Sequence, residues 1–500
     1  VRRNAIPLFV SLLSPDRSHA LILAAAAVLL RLTVFSETVL MLRKAGIVER
    51  VERCWSIAAG SPSSSSFGLT ENLLRLLFNV SFSAESRREL VDRGLVSGVA
   101  QLVVNGSRSD NRSTALNLLY QMSVDDGAKS MFAYTSVVPV LVHSTLADST
   151  DASRRLVSAA TLANAVLFRR NAQQLAAVAA TGQDAAGLLD RVIERLVRMD
   201  NDKDSTTPVR LVLAKIVRNV AGHNDESAQK TIAKWTPQLL SIAMRTLSNS
   251  PNAAALQSAV GLECLGTAAL STGFDWNTLD DATWRWVDEV ALSVQDERNA
   301  RRLQKVCAPA TPSSVRLQLV VLCGTAAARS EPVATRLATL VTRLQRVMSA
   351  EQEDDEFVVQ LLHFLFSLLL HATLGRRLLE DSQRAPLGLY ILELMHDKNA
   401  VVRAMCERAE KIIAELSEPW VRRIEAERFR HHNAEWLANV QRAGADGQET
   451  DDEEENEEDE SDLSTDDHDL NGIVFGGQHV VFDDYHFEEN GELQETNGDS

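Results

Sequence analysis

The sequence predicts an all-α protein that is built from stacked helical repeats and ends in an acidic tail. Apolar residues recur at helical spacing through most of residues 1–440, and blocks of sequence return after steps near 42 residues. Hydrophobic residues make up 45% of the chain but aromatic residues only 5%. This composition favours helices, because strands are enriched in aromatic and β-branched residues. We therefore expect a helical array with essentially no sheet.

The stretch from residue 351 to residue 416 shows the repeat unit most clearly. Its apolar spacing predicts a long helix over 357–372, a short amphipathic turn over 374–379, a medium helix over 384–395 and a second long helix over 401–416. Short, medium and long helices in this order, with a period of ~40–47 residues, are typical of an armadillo repeat. One unit cannot bury its own apolar face, so we expect neighbours on both sides and an armadillo-repeat superhelical solenoid.

Two steps in the amino-terminal half support this period. Residues 46–48 (GIV) return as residues 94–96 (GLV) after 48 positions, and residues 76–81 (LLFNVS) return as residues 118–123 (LLYQMS) after 42 positions. The longer step fits a serine-rich insertion at 61–66, which we expect to form a flexible loop.

Later repeats are less regular. The phrase LGTAA at 265–269 returns as CGTAA at 323–327, 58 positions on, and the region 273–312 shows no pattern from which helices can be assigned. Because the chain enters an amphipathic helix directly after Val1, we also expect the array to lack earlier repeats.

Composition divides the chain into three parts. The array occupies residues 1–418, a charged capping helix is expected over 419–442 after the break at Pro419, and residues 443–500 form the acidic tail. The capping helix carries apolar residues that we expect to cover the open end of the stack: Trp420, Ile424, Phe429 and Trp436.

The net charge of −17 comes from the tail. Residues 443–500 hold 22 of the 68 acidic residues and no Lys or Arg, which leaves 46 acidic and 51 basic residues for positions 1–442. Charge repulsion and few apolar residues predict a disordered tail. A body of charge +5 has neither the strong positive field that binds nucleic acid nor a basic block for a membrane surface.

The cysteines and apolar runs indicate a cytosolic protein. The cysteines are odd in number and widely spaced, so we expect buried free thiols in a reducing compartment. They are Cys54, Cys264, Cys307, Cys323 and Cys406. Every apolar run is shorter than the ~20 residues that a spanning helix needs, so no membrane insertion is expected.

No catalytic, cofactor or metal motif is recognised. A phosphate-binding glycine loop, a Cys-x-x-Cys pair and a Gly-x-Ser-x-Gly elbow are all missing from the sequence, so an enzyme is not expected. His431 and His432 would point roughly 100° apart on a helix and chelate poorly. Residues 467–478 resemble the start of an EF-hand loop, but the twelfth position is Gln478 rather than the bidentate Glu.

Three asparagines are candidate binding residues. Asn79, Asn164 and Asn219 recur near the ends of predicted long helices. In an armadillo array such side chains can line the concave groove and bond the backbone of an extended peptide. They can equally bond neighbouring turns within the stack, and the sequence leaves both interpretations open.

Several blocks of the sequence resemble one family. They stand in that family's order at 120–126 (YQMSVDD), 129–135 (KSMFAYT), 351–358 (EQEDDEFV), 394–399 (LMHDKN) and 429–433 (FRHHN), with Trp436 and Leu437 after them. The sequence resembles the kinesin-associated proteins, the non-motor subunits of heterotrimeric kinesin-II. The resemblance spans residues 25–440 and is thinnest from 222 to 350.

The resemblance implies a non-catalytic adaptor. Such a protein would bind the tails of two different kinesin heavy chains and link them to cargo proteins, including ciliary transport complexes, in the cytoplasm, on microtubules and in the cilium or flagellum. The matching blocks contain surface residues that are candidates for binding these partners: Glu353, Asp354, Asp397 and Lys398. Helix capping explains Glu353 and Asp354 as well as a partner does.

An importin-like or catenin-like peptide receptor is the alternative. That function needs a continuous groove of Asn and Trp, and the seven tryptophans of this chain do not fall at repeat spacing.

Overall fold

The architecture comes from a computed structural model whose residues fall into two units, Val1–Gln448 and Glu449–Ser500. It describes residues 5–60, 64–105, 109–147, 151–177, 187–201, 207–248, 255–291, 313–341, 354–380, 386–433, 473–475 and 478–480.

The first unit is an array of helices, and its described residues contain no strand. Long helices recur through it, each packed on the long helix of the preceding repeat. They are His19–Leu32, Ser64–Val80, Ser109–Met122, Ala152–Ala165, Thr207–Ala221, Ala255–Ala269, Ser313–Arg329, Asp355–Leu369 and Ala400–Leu416.

The other helices connect these and pack against them; most are shorter. They are Ala5–Ser11, Ser36–Lys44, Ile47–Gly60, Ala84–Asp92, Leu95–Asn105, Asp126–Phe132, Val137–Leu146, Arg169–Ala176, Leu188–Asn201, Glu226–Ser248, Asp281–Ala291, Glu331–Leu337, Ala372–Glu380, Pro386–Leu394 and Glu418–His432, with 3-10 turns at Trp276–Thr278 and Ala338–Leu340. The predicted all-α armadillo-repeat solenoid is therefore confirmed.

The unit that shows the repeat most clearly in the sequence also shows it in the structure. The Asp355–Leu369 helix is followed by three more: Ala372–Glu380 with 9 residues, Pro386–Leu394 with 9 and Ala400–Leu416 with 17. The last helix begins where the Asn399 side chain accepts a hydrogen bond from the backbone N–H of Val401, as an N-cap does. Apolar residues at helical spacing form one face of each helix, and these faces pack together as the core.

Two regions depart from the expected pattern. The serine-rich insertion does not form a loop throughout, because the Ser64–Val80 helix begins within it. Serine is well tolerated at the first positions of a helix, where its hydroxyl can accept from free N–H groups. Glu226–Ser248 is a single helix of 23 residues that continues through Pro237 and replaces the separate short and medium helices of other repeats.

The structure describes two short strands in the second unit. Ile473–Phe475 pairs antiparallel with Gln478–Val480, and Ile473 faces Val480. These six residues lie within the tail that was expected to be disordered. The acidic run 446–469 and eight of the twelve residues of the EF-hand-like loop 467–478 lie outside the described residues.

One further property of the helices concerns membranes. Among the described helices, none is by itself long and apolar enough to span a bilayer. Asp355–Leu369 and Ala372–Glu380 reach that threshold only when counted together, and the pair is bent by 109°.

Candidate protein-binding surface

Hydrogen bonds between successive long helices place two of the predicted asparagines. The Asn79 amide donates to Thr33 Oγ1 at 2.6 Å, and the Thr33 hydroxyl in turn donates to the Leu30 carbonyl at 2.6 Å. The Leu30 carbonyl, in the last turn of the preceding helix, accepts from the Thr33 backbone N–H at 3.2 Å as well as from the Thr33 hydroxyl. Asn79 thus fastens its own repeat to the one before it.

The same relay occurs two repeats later. The Asn164 amide donates to Ser123 Oγ at 2.9 Å, and the Ser123 hydroxyl donates to the Tyr120 carbonyl at 2.7 Å. Asn219 omits the hydroxyl and donates directly to the Ala163 carbonyl at 3.0 Å. All three asparagines are half-buried. The contacts that the structure shows are therefore those within the stack, one of the two interpretations that the sequence left open.

Two histidines make a related contact that the sequence did not reveal. Nε2 of His223 lies 2.8 Å from the Val166 carbonyl, and Nε2 of His371 lies 2.7 Å from the Ala327 carbonyl. Because a carbonyl only accepts, each Nε2 carries the proton and donates it. Each histidine thus ties the end of one long helix to the end of the preceding long helix.

A buried arginine crosses three of the later long helices. Arg218 is 6% exposed, donates from Nη2 to Gln318 Oε1 at 2.8 Å, and passes over Gly266. A Cβ at Gly266 would lie 1.2 Å from Arg218 Nη1, so only glycine leaves room for the guanidinium. Burial lowers the pKa of Arg218 to about 10, with Glu263 and Glu356 acting in the opposite direction.

The second glycine of the repeated phrase has the same role. A Cβ at Gly324 would lie 2.8 Å from Nδ1 of His363, whose ring packs over this position. Burial lowers the pKa of His363 to about 4, so the imidazole is neutral at pH 7. The phrases LGTAA and CGTAA were recognised as a repeat in the sequence. At each of these glycines a polar side chain of another repeat lies against the long helix.

The predicted partner-binding residues near 351–399 have structural roles as well. Asp354 caps the Asp355–Leu369 helix, since its carboxylate accepts from the Phe357 N–H at 3.1 Å. Asp397 is half-buried and accepts from the Asn399 N–H at 2.8 Å. Lys398 is exposed. Glu353 lies outside the described residues.

Arg403 fixes the backbone of the loop that holds Asp397 and Lys398. Its guanidinium donates to the carbonyls of both residues, at 2.7 and 3.0 Å. Of the four predicted residues, Lys398 is thus the one whose described side chain is most available to a partner.

The Glu418–His432 helix packs against the last long helix, Ala400–Leu416. Trp420 is 3% exposed, lies over Gly388, and donates from its indole N–H to the Leu379 carbonyl at 3.4 Å. The buried Glu410 carboxylate accepts from Arg428 of this helix at 2.8 Å, and the ring of His431 stacks on that of His396. Burial, and then His431, lower the pKa of His396.

The apolar residues expected to form the cap behave differently from one another. Trp420 and Ile424 are buried, whereas Phe429 is 60% exposed and does not contribute to covering the stack. Trp436 lies outside the described residues. Arg428 and His431 are three residues apart and lie on one face of this helix, where they contact Glu410 and His396. Phe429 therefore points outward.

The kinesin-associated protein family model matches residues 1–470. The chain belongs to the kinesin-associated protein family. The match extends beyond the 25–440 that the sequence blocks covered and includes the thin region 222–350.

Solved structures show the fold that this family member shares with other armadillo-repeat proteins. An engineered protein is 17% identical, covers 82% of this chain and 98% of that chain, and has a TM-score of 0.52. A structure from work on the interaction between cadherin and β-catenin is 11% identical, covers 83% and 76%, and has a TM-score of 0.55. The structure of She4p is 12% identical, covers 83% of this chain and 57% of She4p, and has a TM-score of 0.54. At these identities the likeness concerns the fold alone.

The described part of this kinesin-associated protein has the features of a binding scaffold. Armadillo stacks present extended surfaces to other proteins. No group of three or more His, Cys, Asp or Glu side chains lies together as a metal site would require, as far as the described residues extend. The described cysteines, Cys54, Cys264, Cys323 and Cys406, are free and buried. Burial raises the pKa of Cys264 and of Cys323 to about 12, which keeps both thiols protonated.

Proposed function

We propose that this chain is a non-catalytic adaptor that binds the tails of two different kinesin-II heavy chains. It links the motor to cargo proteins for transport along microtubules, including transport in cilia or flagella. The supporting observation is the family match over residues 1–470. The protein acts in the cytoplasm and on the cytoskeleton, and any nucleotide turnover in the complex belongs to the motor subunits.

The proposal is tested by reconstitution from purified proteins. The full chain is mixed with the separately purified carboxy-terminal tails of both heavy chains of a kinesin-II motor, and the products are separated by size-exclusion chromatography with light scattering. We expect one complex that contains all three polypeptides. If neither tail, alone or with the other, shifts the elution of the chain, the adaptor function is wrong.

The Asp397–Lys398 loop gives a sharper test within the same assay. Asp397 supports its own loop, so reversing its charge would disturb both structure and surface. Lys398→Glu changes the exposed charge alone, and Lys411→Glu on the following helix is the matched exposed control. If this loop binds the motor tails, Lys398→Glu weakens capture by about tenfold, while Lys411→Glu does not. Equal capture by both variants would remove the loop from the binding surface.

An importin-like or catenin-like peptide receptor remains a second candidate because of one observation. Asn79, Asn164 and Asn219 are half-buried rather than fully enclosed, and each relay or direct contact uses one of the two N–H groups of the amide. A receptor of this class binds an isolated extended peptide without any motor tail. If the chain binds such a peptide and the three Asn→Ala changes abolish that binding, the receptor function is favoured.

A further inference from the structure

Four successive repeats expose an apolar side chain at the same position. Val34, Phe82, Val124 and Leu167 each follow the residue that caps a long helix, at steps of 48, 42 and 43 residues. They are 79%, 62%, 56% and 41% exposed. Because the long helices stack in register, their ends and these four side chains lie along one edge of the array. We call these four residues the apolar ridge.

The turns that carry the ridge are held in place by hydrogen bonds. Next to Phe82, the Ser81 hydroxyl donates to the Phe78 carbonyl at 2.7 Å, and Arg87 donates to the carbonyls of Ser81 and Phe82 at 2.9 and 3.2 Å. The Phe82 ring also packs edge-on against Phe78 at a centroid distance of 5.2 Å. Thr33 and Ser123 make the hydroxyl contact at their own turns. The exposed side chains are thus presented in a fixed arrangement, which lowers the entropy lost on binding.

The ridge ends after the fourth repeat. At the amino-terminal end Phe35, 63% exposed, lies beside Val34, and at the other end Phe168, 36% exposed, lies beside Leu167. In the next repeat the corresponding turn carries His223, which is half-buried and bonds back to the Val166 carbonyl. An apolar surface that recurs in four repeats and stops at the next is more specific than scattered exposed residues, which need no explanation.

The Leu167 end of the ridge is basic. Residues 152–177 contain four arginines and no acidic residue, and two of them, Arg169 and Arg170, directly follow Phe168. Arg170 donates to the Tyr134 hydroxyl at 3.0 Å, with its guanidinium 4.7 Å from the centre of that ring. Arg169 is exposed. The Leu167 end of the ridge therefore complements an acidic partner.

Spacing decides which secondary structure fits. Packed helices lie ~8–10 Å apart, so successive ridge residues recur at about that distance. An α-helix repeats one face every seven residues, a rise of ~10.5 Å, which matches the ridge. An extended strand presents one face every ~6.7 Å and cannot place an apolar side chain at each repeat.

We propose that the apolar ridge binds an amphipathic α-helix of a partner protein. Apolar residues spaced by seven lie against Val34, Phe82, Val124 and Leu167, and acidic residues at one end of the helix lie against Arg169. This surface differs from the Asp397–Lys398 loop, which precedes the last long helix, Ala400–Leu416, so one adaptor can hold two partners at once. The recognition is of the helix-in-groove kind, in which apolar anchors at helical spacing supply the affinity.

A synthetic helical peptide tests the proposal. The probe is a fluorescein-labelled peptide of four heptads with Leu at each first position, Glu and Ala elsewhere, and additional Glu in the last heptad. Its control has the same composition with the four Leu distributed around the helix. We expect the full chain to bind the probe at least about tenfold more tightly than the control in fluorescence anisotropy. Equal binding of the two peptides would overturn the proposal.

Matched variants locate the site. Phe82→Ser and Val124→Ser should each weaken probe binding by about tenfold, whereas Phe429→Ser, at a residue just as exposed on the capping helix, should leave it unchanged. Arg169→Glu should weaken binding of the probe but not of a version without the additional Glu. Because all these side chains are exposed, we expect thermal unfolding to change little, with the largest change for Phe82→Ser, which also removes the ring contact with Phe78.

Two results would contradict the proposal. If both ridge variants bind the probe as the wild type does, the ridge is not the site. If light scattering shows that the chain alone is a dimer and that Phe82→Ser makes it monomeric, the occupant of the ridge is a second copy of the chain rather than a partner helix.

Discussion

The first four repeats and the later ones stack in the same way, but they bury different kinds of polar side chain. In the described part of the first four, up to residue 177, every buried polar side chain is neutral. In the later repeats Arg210, Arg218 and Glu410 are buried as well. Exposed large apolar residues show the opposite distribution: of the fourteen described, twelve lie at or before Phe168, and only Leu389 and Phe429 follow.

The first four repeats thus leave apolar side chains exposed to partners. In the later repeats, side chains of the protein itself occupy the corresponding space. Neutral amide-to-hydroxyl relays hold the early repeats together at the helix ends and leave apolar side chains in solvent. In the later repeats Arg218 and His363 lie against the long helices at Gly266 and Gly324. A buried charge is destabilising unless it is paired, so these repeats depend on their polar partners much more strongly.

The largest effect should come from a charge in the later core. Leu365 is 1% exposed, and Leu365→Asp should lower the free energy of unfolding by about 4 kcal/mol or more, because an unpaired carboxylate would be buried. Repeats couple mainly to their neighbours, so hydrogen exchange should show loss of protection in residues 313–416 first. Leu389→Asp, at a residue 46% exposed, is the control and should change stability by less than about 0.5 kcal/mol. Equal loss of protection in residues 19–165 would show that the two regions unfold as one.

A pair of glycine substitutions compares the two regions directly. Gly266→Ala should destabilise by about 2–3 kcal/mol, because Arg218 must leave its place and its bond to Gln318 while remaining charged. Gly68, on an early long helix, meets nothing closer than Leu23 Cδ1 at 3.7 Å. Gly68→Ala should therefore stabilise by about 0.5–1 kcal/mol through helix propensity. Chemical denaturation measures both, and a Gly266→Ala protein as stable as the wild type would refute this role of Arg218.

The pH dependence of stability should also reside in the later repeats. The folded pKa of His363, about 4, is below its ordinary value of 6.5, so between these values the unfolded chain binds the extra proton and stability falls as pH falls. The slope from this group is at most about 1.4 kcal/mol per pH unit. Burial raises the pKa of Glu263, Glu356 and Glu410, which act in the opposite direction.

The contribution of His363 is therefore measured as a difference. His363→Gln should remove its part of the slope, so that the wild type loses stability relative to this variant when pH is lowered from 6.5 to 4. Parallel stability curves of the two proteins over this range would show that His363 does not contribute.

The fold can be predicted from the sequence because the helical period shows in the spacing of apolar residues that are close in the chain. The helices of 355–416 were found to within a few residues for this reason. No helix was predicted from the sequence over Glu226–Ser248, which continues through Pro237 although proline usually interrupts a helix.

Contacts between repeats are harder to predict, since they depend on the register of one helix against another. Arg218 and Gln318 are 100 residues apart in the chain, and no local pattern connects them. The repeated phrases around Gly266 and Gly324 were the available signal. An asparagine near a helix end has the same spacing whether it bonds the stack or a peptide, so its role could not be decided from the sequence.

The smallest effect concerns that undecided role. Asn164→Ala and Ser123→Ala each remove one member of the same relay and should each destabilise by about 1 kcal/mol. Because the two side chains contact each other, the double variant should cost less than the sum, with a coupling energy of about 0.5–1.5 kcal/mol. Additive losses would mean that the bond contributes nothing to stacking.

Binding measurements on the same variants separate the stack from the peptide. Both single variants break the relay, but only Asn164→Ala removes an amide that an extended peptide could bond. If Asn164 acts in stacking alone, the two variants capture motor tails equally at equal folded fraction. If it also holds a peptide backbone, Asn164→Ala weakens capture by about tenfold, while Ser123→Ala leaves it near the wild-type value. The early repeats would then bind a peptide at the ends of their long helices, next to the apolar ridge, in addition to any contact that the Asp397–Lys398 loop of the later repeats makes.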